Sequence, residues 1–340
     1  MLEHLPLRSL YCVVPLYHDV PAFTQLRIDV HAALVASGYE FSEVRFLVVD
    51  DSGGDDPAIE QLLQLPDVDV LRAPYSLGHQ QALVLGARAL AARVDDHDLV
   101  VTLDGDGEDK PEDVPRLLAA LDGPGVTLRA IVIAHRTERR VTVGFRLGYI
   151  LFRLAFRALV GFVVDSGNFA AYHGWVLRNV LTHPNFDLCY SSSLLSLGLP
   201  IVRVPCARGA RYAGRSHMNL LRLSIHALRM MMPFLDRMAI RTLAAFALMF
   251  SVGMALLAAV VVCALAGWDI PTALAYAAGV VGLLSVIGLG NFVLLFAVFS
   301  NYRGLHLSAT NVRLSDVGTD QGRTSERGAE PARDAVTTRV

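Results

Sequence analysis

Asp104 and Asp106 stand two residues apart in the run Leu99-Val-Val-Thr-Leu-Asp-Gly-Asp-Gly-Glu-Asp-Lys-Pro-Glu-Asp113. The run opens as a buried strand and ends abruptly in carboxylates, with Glu108 and Asp109 close behind. Like charges packed together repel, so such a cluster is costly by itself. A hard divalent cation, Mg²⁺ or Mn²⁺, removes that cost through oxygen ligands and commonly holds phosphates as well. The plainer alternative is a solvated acidic turn that starts a helix at Pro111.

Two more strand ends carry similar groups. The apolar run Leu10 to Tyr17 opens into His18 and Asp19, and Val44 to Val49 ends in Asp50 and Asp51. Further strands are predicted at 68–71, 99–103, 130–134 and 201–205. The fifth in chain order, 130–134, ends at His135 and Arg136, and a turn at Asp165-Ser-Gly-Asn-Phe169 leads into a short strand. Helical patterns fall near 21–36, 79–93, 143–160, 174–181, 188–197 and 218–235. This alternation predicts an α/β fold with a mostly parallel sheet and helices on both faces. In a doubly wound sheet the acidic strand ends converge on one edge.

After the strand at 201–205, Arg208, Arg211, Arg215 and His217 lie in ten residues interleaved with glycine and serine. That composition suits a flexible anion clamp, although any one of these cations alone reads as a solvated side chain. Arg146, Arg153 and Arg157 recur at helical spacing among Phe, Leu, Tyr and Ile. Arg222, His226 and Arg229 do the same in the second amphipathic helix. Wide apolar faces with purely cationic polar faces fit helices lying on an anionic membrane surface.

The chain is 53% apolar, with a mean hydropathy of +0.43, and the excess is local. Thr242 to Trp268 is a stretch of 27 residues without charge, and Ile270 to Tyr302 a stretch of 33. A spanning helix needs roughly 20 apolar residues, so each suffices. Arg229, Arg237 and Arg241 precede the first and Arg303 follows the second, with only Asp269 between. The expectation is a multi-pass protein of the inner or plasma membrane, with the catalytic domain and both termini cytoplasmic. No export signal is visible before it. Ala275-x-x-x-Gly279 and Ala278-x-x-x-Gly282 offer a small-residue face for close helix packing. The net charge of −2 gives no sign of a nucleic-acid partner, and the four scattered cysteines suggest neither zinc nor disulfides. Expected boundaries are 1–217 for the catalytic domain, 218–236 for a juxtamembrane helix, 239–301 for a transmembrane hairpin and 302–340 for a largely disordered tail.

Pro15-Leu-Tyr-His-Asp19, Val49-Asp-Asp-Ser52, Gly78-His-Gln-Gln-Ala-Leu83, Asp104-Gly-Asp106 with Pro111-Glu112, Ser166-Gly-Asn-Phe169 and Arg211-x-x-Gly-x-Ser216 occur in that order. From about Leu10 to Phe299 the chain resembles glycosyltransferase family 2. More narrowly it resembles the polyprenyl- and dolichyl-phosphate glycosyltransferases of the GtrB-like branch, which have two C-terminal spans. The resemblance implies a GT-A (Rossmann-like) domain and an inverting transfer from a UDP- or GDP-sugar to a polyprenyl phosphate lipid. It implies that Asp104 and Asp106 hold the metal and the diphosphate, with Glu108, where relatives often have Gln, beside them. Pro15, His18, Asp19 and Asp51 would line the nucleoside pocket; Asp19 stands where Glu is usual and His18 where Asn is. Arg136, Arg211 and Arg215 would meet phosphates, as would His217, which replaces a frequent Lys. Asp165 would position the donor sugar. A phosphate acceptor is already largely ionised at neutral pH, so no strong general base is needed. The resemblance is compatible with a homo-oligomer.

Two other readings stay open. A processive polysaccharide synthase shares the catalytic domain but carries Gln-x-x-Arg-Trp, whereas Trp175 and Trp268 are both preceded by glycine. A catalytically silent membrane scaffold would keep the fold without needing Asp104 and Asp106.

Overall fold

The structure, a computed structural model, describes residues 8–136, 143–162, 166–212 and 220–304. Asp165, Arg215 and His217, and the expected tail beyond 304, lie outside the described residues.

Seven strands form one sheet: β1 (Leu10–Leu16), β2 (Val44–Asp50), β3 (Val68–Arg72), β4 (Leu99–Thr102), β5 (Ile131–Arg136), β6 (Ser166–His173) and β7 (Ile201–Cys206). Their order is β3-β2-β1-β4-β6-β5-β7. The first three pair in parallel, as do β1 with β4 and β5 with β7. This is the expected GT-A-like, mostly parallel architecture, with one exception. β6 runs antiparallel to both β4 and β5. Its reversed direction has a structural consequence: the beginning of β6, Ser166 to Asn168, arrives beside the carboxyl ends of its neighbours.

Side-chain alternation along β1 sorts the two cores. Leu10, Cys12, Val14 and Leu16 face a layer containing α1 (Val20–Ala36) and α3 (Val114–Leu121). Tyr11 and Val13 face α2 (His79–Leu90), α5 (Gly174–Asn179) and α6 (Tyr190–Ser196). Gly86 lets α2 sit close to the sheet, since a Cβ there would come within 2.9 Å of side-chain carbons of both Val49 and Val13.

Asp67 ties α1 to the start of β3. Its carboxylate accepts from Arg27 Nη2 (2.6 Å) and Nε (2.7 Å) and lies 2.8 Å from His31 Nε2. Burial alone would push this carboxyl up, but the bonds from Arg27 and His31 hold it below the ordinary aspartate value. Its stabilisation is therefore present above the unfolded value of about 3.9 and is lost as pH falls through the lower folded value. Asp67→Asn is expected to cost about 1.5–3 kcal/mol at pH 7 and to make the acid limb of a stability-versus-pH curve shallower. Urea unfolding between pH 2.5 and 7 measures both.

Besides α4 (Val143–Val160), the described residues include α7 (Leu220–Met231), α8 (Leu235–Leu265) and α9 (Thr272–Gly304). α4 follows its predicted bounds. Its Phe156 and Val160 are buried with Met231 and Phe234 in a separate aromatic cluster. Phe234 meets Phe162 edge-on at 5.0 Å, and the Arg237 guanidinium lies 5.4 Å from the centre of the Phe162 ring. Arg241 donates to the carbonyls of Ala158 (3.0 Å) and Arg157 (3.4 Å), capping the last turn of α4 with a cation. Arg153, Leu154, Arg157, Leu228 and Arg229 are exposed.

Two segments, Ser224–Leu265 and Thr272–Val298, are long and apolar enough to cross a membrane, the most apolar 18-residue window of each having a mean hydropathy of 2.6 and 2.3. None of the first apolar window and 6% of the second is covered by the rest of the chain. A core helix of a soluble protein would be covered. A Cβ at Gly279 or Gly282 would touch nothing within 4 Å. The two helices approach at Gly253, where a Cβ would lie 3.5 Å from Val281 and 3.8 Å from the backbone N of Gly282, and at Gly288. Between Phe246, Phe250 and Met254 of α8 and Ala275, Gly279 and Gly282 of α9 they leave an apolar cavity of about 430 Å³.

Candidate active site

β1, β2 and β4 run in the same direction, so the segments that follow them share one edge. Chain direction alone brings Asp19, Asp51, Asp104 and Asp106 together. Asp104 and Asp106 sit in the turn after β4, where Gly105 lies against Leu16, Val14 and the carbonyl of Pro15.

Each acid of this turn is met by a cation or an amide. Asp104 Oδ1 is 2.9 Å from His79 Nε2 and accepts from Asn168 Nδ2 at 3.2 Å. Arg211 reaches Asp106 Oδ2 at 2.5 Å and Asp19 Oδ2 at 3.5 Å. Arg208 pairs with Glu108. Arg136, at the end of β5, donates to Asp109 at 3.2 Å, and the missing side chain of Gly167 leaves room for its guanidinium.

The electrostatics divide the acids. Burial would raise Asp104, but His79, Arg136 and Asn168 outweigh it and hold this carboxyl well below the usual range. Asp106 is raised by burial and then by Asp104, despite Arg211. Burial and Asp104 push Asp109 up to about 7 even beside Arg136. Asp106 and Asp109 are thus less readily ionised than Asp104, each disfavoured by burial and by the Asp104 charge.

Among the described residues no three Asp, Glu, His or Cys side chains close around a point as metal ligands. Of the expected set, Asp104 faces His79, Asp106 faces Arg211 and Glu108 faces Arg208. The donor chemistry still fits a hard divalent cation: two carboxylates two residues apart, one of them destabilised by the other's charge.

The remaining expected residues are placed as follows. The Asp51 carboxylate accepts from Leu77 N (2.6 Å), Gly78 N (3.0 Å) and Ser76 Oγ (3.3 Å), so it organises the turn into α2. Gly78 needs its φ of 85° there. His18 adopts a left-handed φ of 55° and points toward Asp56, 3.9 Å away. Four groups at the site were not assigned from sequence: His79, Gln80, Asn168 and Asp109. His79 and Asn168 belong to ordered motifs already noted, but their partners lie 25 and 64 residues from them along the chain, so spacing gives no sign of the contact.

The segment 207–212 lies directly on the acid turn. Gly209 N donates to the Glu108 carbonyl (2.8 Å) and Tyr212 N to the Asp106 carbonyl (2.9 Å). The Tyr212 ring covers Gly107, whose φ is +83°, and a Cβ on Gly107 would come within 2.4 Å of that ring. Gly107→Ala adds left-handed strain of about 1–2 kcal/mol and expels Tyr212. The expected outcome is trypsin cleavage after Arg208 and Arg211 several times faster than in the wild type, read by timed digestion.

The acidic carboxyl edge of the sheet is covered by an arginine-bearing segment, and the same chain continues into two long apolar helices. Residues 12–178, just under half of the chain, match the model of glycosyl transferase family 2. Over 131 residues it is 28% identical to the undecaprenyl-phosphate 4-deoxy-4-formamido-L-arabinose transferase of Klebsiella pneumoniae. That alignment covers 36% of this chain and 36% of the relative, so the chain matches about a third of that protein's length. Solved structures with a similar outline include the Pyrobaculum calidifontis mannosyltransferase in complex with GDP-Man and Mn²⁺ (16% identity, 87% of each chain, TM-score 0.40). Another is the 1–349 segment of S. aureus TarS (10% identity, 69% of this chain and 64% of that one, TM-score 0.35).

Proposed function

We propose that this protein transfers a sugar from a UDP- or GDP-sugar to a polyprenyl phosphate, undecaprenyl or dolichyl, with inversion at the anomeric carbon. The observation that carries the reading is the joining of two features in one chain. Asp104 and Asp106 stand at the sheet edge, and the same chain continues through an arginine-bearing junction into two apolar helices. The basic residues flanking those helices support a topology with the catalytic domain and both ends on the cytoplasmic side of the inner or plasma membrane.

Asp104 and Asp106 would hold Mg²⁺ or Mn²⁺, with Glu108 nearby; when bound, such an ion neutralises charge on a diphosphate leaving group. Arg136 and Arg211 lie where they can meet phosphate oxygens, and Arg211 must leave Asp106 to do so. Pro15, His18, Asp19 and Asp51 would line the nucleoside pocket, Asp51 by fixing the 76–78 turn. Asp165, Arg215 and His217 keep the roles implied by the resemblance: sugar positioning for the first, phosphate contact for the other two. The acceptor phosphate arrives already ionised, so the chain's task is placement and charge compensation.

The test is transfer of radiolabelled sugar into a chloroform-soluble product. Purified full-length protein is supplied with undecaprenyl or dolichyl phosphate, Mn²⁺ and a panel of UDP- and GDP-sugars. Label in the lipid phase supports the reading. Label only in a water-soluble polymer would replace it with polysaccharide synthesis.

A further inference from the structure

Below the acid turn lies a chain of amides whose direction can be deduced. Gln80 and Asn168 are buried, at 7% and 8% exposure, so water does not rearrange them freely. Gln80 Oε1 accepts from the backbone N of Ser191 at 3.0 Å, and from Ser191 Oγ and Cys189 Sγ at 3.3 and 3.2 Å. A backbone N–H can only donate, so the atom facing it must be the oxygen. The Gln80 NH₂ is then the group 2.5 Å from Asn168, and the atom it meets must be Oδ1. This leaves the Asn168 NH₂ facing Asp104 Oδ1 at 3.2 Å and His79 Nε2 at 2.6 Å. Thr102 Oγ1 donates to the Asn168 carbonyl at 2.6 Å and fixes its backbone.

We infer that Gln80 is a positioning residue: it locks the Asn168 amide in the one orientation that presents a donor to Asp104. The reference point of the relay is the first turn of α6, a helix packed on α2. Asn185, which precedes α6, donates to Ser196 Oγ (3.1 Å) and to the Pro233 carbonyl (3.4 Å) at the start of the membrane hairpin. Asp104 is thereby oriented from a helix anchored at the membrane junction. With Asn168 reversed, a carbonyl oxygen would oppose the carboxylate and turn it from its place. The inference rests on Asp104 being a carboxylate that holds a divalent cation, as proposed above.

Gln80→Glu separates orientation from packing. Glutamate keeps the size of the side chain and the acceptor for Ser191 but, when ionised, has no hydrogen to give. Asn168 must then turn its NH₂ to residue 80 and its oxygen to Asp104. Partners that orient metal ligands commonly matter by about 10–100-fold. At pH 8, in nanodiscs, full-length Q80E is expected to lose about tenfold or more in kcat with donor KM changed less than about twofold. Mn²⁺ alone, followed by electron paramagnetic resonance, should bind at least about fivefold more weakly. Gln80→Met, which removes both bonds, should lose kcat similarly, and a thermal midpoint kept within a few degrees separates orientation from unfolding. Wild-type turnover and Mn²⁺ affinity in Q80E would overturn the inference. So would activity that falls only in proportion to the folded fraction, with unchanged Mn²⁺ affinity in the rest. A wild-type chain that neither transfers sugar nor binds Mn²⁺ overturns the proposed function and this inference together.

Discussion

Asp106→Ala is expected to lower lipid-phosphate glycosylation by at least about a thousandfold, since removing one preorganised group that compensates transition-state charge costs that order. Stability should barely change, and the reason lies in the ionisation. Burial and the Asp104 charge already disfavour the ionised Asp106, which is why its carboxyl titrates above the usual value. Removing it relieves repulsion and forfeits the contact with Arg211, two effects of opposite sign. Arg211 still has Asp19 within 3.5 Å. The decisive comparison is thermal unfolding beside radiolabel transfer on one preparation. Undiminished turnover in a folded variant would remove Asp106 from the reaction.

Arg211→Ala has the second-largest expected effect, and its two components can be separated. The guanidinium now occupies Asp106 Oδ2 at 2.5 Å, where a divalent cation would compete with it. Removing it should therefore tighten apparent Mn²⁺ affinity severalfold, because an opposite charge a few ångströms away no longer has to be displaced. Turnover should fall about a hundredfold, because a guanidinium is the bidentate partner that diphosphate oxygens need. Tighter metal with slower turnover is the expected pair, read from Mn²⁺ titrations of kcat and of binding. Unchanged metal affinity would show that Arg211 does not compete for the acid site. Unchanged turnover would show that it does not contact the phosphates.

Much of this arrangement can be read from one chain because its information is local. An apolar run that stops at carboxylates is visible in sequence, and parallel topology then places Asp19, Asp51 and Asp104 on one edge without further input. The α4 pattern and both apolar helices are equally local. The direction of β6 is not, because Ser166 to His173 has no periodicity that distinguishes parallel from antiparallel pairing; its neighbours decide. The same reversal delivers Asn168 to the site, so the direction of β6 and the role of Asn168 are hidden from the sequence by one cause. Gln80 stayed hidden because a glutamine in a helix is ordinarily a solvated side chain, and its buried role depends on Ser191, 111 residues away. Gly279 and Gly282 show the limit of a short motif: small residues permit close packing, but here they line an apolar cavity between the two helices.

The Arg241 cap on α4 and the aromatic cluster around Phe234 have a mechanical consequence. α8 begins inside the catalytic half, with Leu235 and Ala239 buried there, and continues without a break to Leu265. In the proposed membrane setting, a single stiff strut would therefore set the standoff between the acid turn and the bilayer. A thicker or thinner membrane would be met by leaning the whole head with the hairpin rather than by bending a hinge. For the lipid-phosphate acceptor proposed above, the headgroup would have to rise to a fixed height, and the reach of the lipid rather than the play of a linker would set which carriers are served.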